Sequence, residues 1–153
     1  MKYAGIDPGK GGGMAILEDE IFDPIVYAFK NMTEADIADA VIKHLKITDS
    51  FAMLESVHAM PGQGVCSMFS FGQSYGFLRG VLSARLISFE LITPQKWQKD
   101  MNCRTKGDKN VSKAAAQRLF PSVKCTHSIA DALLLAEYCK RTCHSRNRCG
   151  DAV

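Results

Sequence analysis

Residues 1–13, MKYAGIDPGKGGG, set an apolar run ending on Asp7 against a proline and four glycines in the next six positions. The run reads as a strand, and Pro8 and Gly9 turn the chain out of it. The glycines could cradle a phosphate, or the aspartate could be the functional group with the glycines as the turn behind it. No Walker pattern ending in Gly-Lys-Ser/Thr follows, and no GxGxxG leads from this strand into a helix, so a nucleotide cofactor is not expected. Gly11, Gly12 and Gly13 then keep the entrance of the next strand free of side chains.

Working outward, GGMAIL and IFDPIVYAF read as a second and third strand, and Pro24 inside the third suggests an edge position or a bulge. Thr33 and Asp36 form a capping-box pattern ahead of Ile37, Ala38, Val41, Ile42 and Leu45, which predicts a helix through Lys46. FAMLES is a fourth strand ending near Glu55, and SVHAMPGQGVCSM reads as a loop. A helix follows from about Phe69 to Leu86, with Gly72, Gly76 and Gly80 four residues apart on one stripe. Glycine costs a helix about 1 kcal/mol against alanine, so the stripe implies a close neighbour. Packing on the sheet or on a second subunit is favoured there over direct DNA contact. LISFELI is a fifth strand. TPQKWQKDM starts a short helix with Thr93 as cap and Pro94 at its first position. VSKAAAQRLF is a helix stopped by Pro121, and HSIADALLLAEYCKR is a last helix from about Ser128 to Arg141. The order predicts one α/β domain over residues 1–153: a mixed five-stranded sheet, its first three strands antiparallel, with helices on both faces.

Composition agrees with a single globular domain. The chain has 153 residues, 46% hydrophobic and 23% charged, enough to bury a core without disulfides. No stretch is long and apolar enough for a membrane span, and no basic segment followed by an apolar core marks a secretory signal, so the cytosol is the expected location. The six cysteines therefore read as free thiols. Cys139, Cys143, His144 and Cys149 fall in a basic tail from about residue 139, read as frayed, and their spacing matches no common zinc module. Net charge is only +3, but residues 96–118 concentrate Lys96, Lys99, Arg104, Lys106, Lys109, Lys113 and Arg118. That is the distribution a phosphate-facing surface requires.

Three acids stand where a solvated acid is unexpected: Asp7 and Glu55 at the ends of apolar strands, and Asp131 inside an apolar helix. Each alone also reads as a satisfied polar core group. Together they form an oxygen-rich set suited to a hard divalent cation such as Mg²⁺. Carboxylates bridging two ions about 4 Å apart can support phosphodiester hydrolysis without a covalent nucleophile. His127 lies four residues before Asp131 on the same helix face and could join the shell, accept a proton, or merely hydrogen-bond Asp131. Ser128 is a weaker candidate, since a serine at a helix start is ordinarily a cap.

GIDPGKGGGMAIL, LESVHAMPGQG with FGQSYGFLRG, and SIADALLLAEY, in that order over nearly the whole chain, resemble the Holliday-junction resolvases of the RuvC type, most closely their short phage and bacterial forms. That resemblance implies the RNase H-like fold and a homodimer that nicks two strands of a four-way DNA junction symmetrically with Mg²⁺ or Mn²⁺, two ions per site. It carries the catalytic and metal-binding acids to Asp7, Glu55 and Asp131. The family's remaining position is commonly an aspartate, which is absent here; His127 or Ser128 stands in its place, and His127 is chosen. The loop after Glu55 corresponds to one that reaches the junction centre, which makes His58 and Met60 candidates for base contacts. The basic loop and helix start, with Arg104, Lys106, Lys109 and Lys113, correspond to the region where relatives contact phosphates near the scissile bond, and Lys10 is a further candidate for the DNA backbone. The glycine-striped helix corresponds to one near the dimer interface. The runner-up is the same chemistry on forks, flaps or other branched nucleic acid, followed by a junction-binding protein without cleavage. A sugar-kinase-like ATPase is disfavoured because its fold needs two such lobes.

Overall fold

The computed structural model describes residues 1–58, 62, 64–104 and 107–150, the last four as backbone only. Five strands, β1 (Lys2–Asp7), β2 (Gly13–Glu18), β3 (Ile25–Ala28), β4 (Ser50–Glu55) and β5 (Ser88–Ile92), form one sheet in the order β3-β2-β1-β4-β5. β1, β2 and β3 pair antiparallel, while β4 joins β1 and β5 joins β4 in parallel. This is the expected mixed sheet. β3 begins directly after Pro24 and lies at the edge, where a missing N–H costs no ladder bond.

Strand side chains alternate between two cores. Tyr3, Ala15, Leu17 and Met53 pack beneath α3 (Pro94–Asp100), α4 (Lys109–Leu119) and α5 (His127–Gly150). Ala4, Ile6, Met14, Ile16, Ala52 and Leu54 pack beneath α1 (Glu34–His44) and α2 (Val65–Ala84). Helices therefore cover both faces. The Thr33–Asp36 capping box starts α1, and Ile37, Ala40, Val41 and Leu45 form its buried stripe, with Ile42 exposed. Thr93 stands at the N-cap of α3 ahead of Pro94, although its side chain makes no capping hydrogen bond.

Two helix boundaries differ from expectation. α2 starts at Val65, so Cys66, Ser67 and Met68 are helical instead of part of the loop, and Leu86 lies beyond its end with φ 54°. The Ile87 N–H bonds back to the Leu82 carbonyl at 3.0 Å, and both side chains are buried, which holds Leu86 in the left-handed turn between them. α5 continues to Gly150, so the segment from residue 139 is not a frayed tail. Cys139 and Cys143 are buried in the core, and the Cys139 thiol contacts the Phe51 carbonyl at 3.7 Å. His144 Nε2 lies 2.9 Å from both Tyr3 Oη and Asp19 Oδ1. Arg146 grips Glu90 of β5 with two bonds of 2.5 and 3.1 Å. These contacts tie the last turns of α5 to the sheet.

No helix among the described residues is long and apolar enough to cross a membrane. The thiols give a direct check on the packing. Cys66 is exposed, whereas Cys103 and Cys139 are fully buried, and burial pushes the Cys103 thiol up to about 11. Iodoacetamide should modify Cys66 rapidly in the native protein and spare Cys103 and Cys139 until denaturant is added, as read by peptide mass spectrometry. Equal labelling of all three in the native state would contradict this packing.

Candidate active site

Strand parity brings the first two acids together. Asp7 follows Tyr3 and Gly5 at two-residue steps, and Glu55 follows Phe51 and Met53 in the same way, so both face α5. Parallel β1 and β4 pair Ile6 with Leu54, and one step further sets Asp7 beside Glu55 at the same end of the sheet.

Asp131 arrives from α5. That helix crosses β1 at Gly5, where a Cβ would stand 2.2 Å from the Ala136 nitrogen and 2.3 Å from the Ala132 carbonyl oxygen. It crosses β2 at Gly13, where a Cβ would stand 2.8 Å from the Ser128 carbonyl oxygen. Two glycines thus seat the helix directly on the backbone and bring its first turns over the ends of β1 and β4. Gly12 is equally confined, by the Asp7 carbonyl oxygen at 2.1 Å, while Gly11 faces open space.

The three acids sense one another. Asp7 is held well above the usual carboxylate range, first by burial and then by the charges of Glu55 and Asp131, and it shares a hydrogen bond with Glu55. Glu55 is raised by burial and by Asp131, against the opposing pull of the Trp97 N–H. Asp131 is raised by burial, with Ser112, Lys109 and His127 pulling it down. Its Oδ1 is a buried oxygen with no hydrogen-bond partner.

Among the described residues, no three His, Cys, Asp or Glu side chains close round one point as a finished metal cage. The donor set nonetheless suits a hard divalent ion: two neighbouring carboxylates at the sheet end, a third near them, and an orphaned buried oxygen, all oxygen ligands.

The remaining sequence candidates occupy several places. His127 is the exposed first residue of α5, one turn before Asp131, and its charge acts on that acid. Lys109, the first residue of α4, is exposed, yet its charge lowers all three acids, so it stands close to the acid centre. Lys113 lies one turn further along α4 and is half-buried. Lys10 is exposed in the β1–β2 turn and lines an open cleft with Gly9, Cys66, Ser67, Ser70 and Phe71. Arg104 lines a shallow cleft with Lys99 and Asn102. His58 is exposed three residues after Glu55. Met60 and Lys106 lie outside the described residues. Gly72, Gly76 and Gly80 face open space, so their stripe packs on nothing among the described residues, and Val65 and Phe69 on the same helix are exposed at 84% and 69%.

Sequence reasoning missed two contributors. Trp97 donates its indole N–H to Glu55 Oε1 at 2.8 Å, and Ser112 is buried beside Asp131. A lone tryptophan within the otherwise polar PQKWQKD was the available signal for the first; nothing local marked Ser112.

No family model and no curated protein matches the chain. Solved structures do. RuvC of T. thermophilus in complex with Holliday junction substrate shares 13% identity over 93% of this chain and 96% of its own, with a TM-score of 0.65. A second Thermus thermophilus RuvC structure shares 15% identity over the same fractions, with a TM-score of 0.61. The sheet order, the strand directions and these superpositions agree that the chain has the RNase H-like fold of the RuvC structures.

Proposed function

We propose that the chain is a metal-dependent endonuclease that resolves four-way DNA junctions, acting as a homodimer that places symmetric nicks. The observation that carries this reading is the convergence of Asp7, Glu55 and Asp131 from two strand ends and a helix, beside basic α4, on a fold shared with a junction-bound RuvC.

Asp7, Glu55 and Asp131, with His127 at the fourth position, would hold Mg²⁺ or Mn²⁺, two ions per site. When bound, such ions acidify a water and neutralise charge developing on the phosphate. The protein's own groups prepare that centre. Burial and mutual repulsion make the carboxylates poor hosts for negative charge by themselves, and a bound cation would supply the compensating charge. Lys109, whose charge acts on all three acids, would meet a phosphate oxygen at the acid centre, and His127, exposed one turn before Asp131, would complete the shell. Lys10, Arg104, Lys106 and Lys113 supply sequence-independent backbone contacts. His58, exposed after Glu55, and Met60 are the proposed base contacts at the junction centre. The exposed face of α2, apolar at Val65 and Phe69 and flat at its glycines, supports isologous pairing of two copies, which suits a two-fold substrate.

The test is a nicking assay on a synthetic mobile junction, a fork and a linear duplex, with Mg²⁺, Mn²⁺ or EDTA. Paired symmetric nicks on the junction alone, absent in EDTA, are expected. Equal cutting of the fork would replace junction resolution by a broader branched-DNA nuclease, and binding without nicking under every ion would reject the enzyme.

A further inference from the structure

We propose that Trp97 is a positioning residue for the acid centre: its indole N–H fixes one oxygen of Glu55, leaving the other to face Asp7 and whatever the acids bind. This rests on the reading that Glu55 works as one of the site's acids.

The indole Nε1 lies 2.8 Å from Glu55 Oε1, and Trp97 is completely buried. Its ring sits in the core with Met53, Ile92, Met101, Cys103 and Leu134, so the donor cannot swing away. The backbone restrains Glu55 from the same direction: the Ser56 N–H bonds the Ile92 carbonyl at 2.7 Å, at the end of β5, and α3 begins two residues later. Glu55 is thereby held through main chain and side chain by one β5–α3 unit. An indole N–H can only donate, so it takes no part as ligand or proton carrier. What it can do is select a rotamer and dedicate one carboxylate oxygen, as the outer partners of metal-binding carboxylates do.

Trp97 is the only tryptophan in the chain, so expression in a tryptophan auxotroph fed a thia-analogue replaces the N–H by sulfur at this one place in the molecule. Fluorotryptophan, which keeps the N–H, is the conservative rescue, and Trp97→Phe is a second N–H-free protein. Three readouts are taken on the full chain: the indole ¹H–¹⁵N resonance, Mn²⁺ affinity by calorimetry, and kcat and KM for nicking.

The wild-type indole resonance should move in Glu55→Ala. The thia-analogue should fold, bind Mn²⁺ about 10–100-fold more weakly and lose kcat by a similar factor with KM for the junction unchanged. Fluorotryptophan should restore both. An indole resonance unmoved in Glu55→Ala overturns the proposal. So does wild-type Mn²⁺ affinity and kcat in the thia-analogue and in Trp97→Phe, or a loss that only tracks the unfolded fraction. A wild-type protein that nicks no branched DNA would sink the nuclease reading alone, because the resonance and the Mn²⁺ affinity still decide whether Trp97 positions Glu55.

Discussion

Asp7→Asn should abolish nicking and, at the same time, raise the thermal midpoint of the metal-free protein. Loss of nicking on the order of 10³-fold or more is expected for removal of a central acid, with junction binding still measurable. The gain in stability follows from the direction of the Asp7 shift. Burial, then Glu55 and Asp131, raise its folded-state affinity for a proton above the ordinary value of 3.8. The folded protein therefore binds the proton more tightly than the unfolded chain does. The stability this contributes is complete below the unfolded value and is lost as pH rises through the folded one. Wild-type protein in EDTA should lose stability as pH climbs above the usual carboxylate range, and Asp7→Asn should flatten that decline. Each kcal/mol recovered is about 2–4 °C in a domain of this size. Calorimetry in EDTA across pH, beside the nicking assay, reads both effects. A variant that still nicks would refute the site, and one that melts lower would refute the electrostatic account.

Gly5→Ala should strongly destabilise the fold although it adds a single methyl. Its Cβ would lie 2.2 Å from the Ala136 nitrogen, 2.3 Å from the Ala132 oxygen and 2.7 Å from the Leu135 carbonyl carbon. All three are backbone atoms of α5 and cannot rotate aside, so the helix must lift from β1. Overpacking of this kind costs about 3 kcal/mol or more, a fall of about 10 °C if the chain folds at all. Because Asp131 rides on the same helix turn as Ala132, nicking should fall further than the folded fraction does. Gly11→Ala is the control: it meets nothing within 4 Å and should change stability by less than about 0.5 kcal/mol. Similar melting points for the two variants would refute the backbone-on-backbone seat.

Much of the architecture was legible because it rests on local rules. Short apolar runs between turn residues identified the strands, the Thr33–Asp36 pair marked the start of α1, and Pro24 pointed to an edge or a bulge in β3, of which the sheet order shows the edge. Asp7, Glu55 and Asp131 stood out for a related reason: each is a charge amid apolar neighbours, a conflict visible in one dimension. The start of α2 was misplaced because its first turn, with exposed Val65 and Phe69, carries no buried stripe for periodicity to detect. The end of α5 was misplaced because Cys139, Cys143, His144 and Arg146 look like a basic tail until Tyr3, Asp19, Phe51 and Glu90 are brought beside them.

The sequence by itself thus determined the strand and helix order and the odd placement of all three acids, since short apolar runs, the 3.6-residue period and the cost of burying charge act along the chain. Tertiary structure alone decided what makes those acids a centre. Trp97 meets Glu55 across 42 residues, Gly5 meets Ala132 and Ala136 from the opposite end of the chain, and Lys109 turns its charge on all three acids. Such contacts depend on how closely two backbones approach and on which buried donor finds which acceptor. Those distances arise when helix and sheet pack together, and no local pattern encodes them.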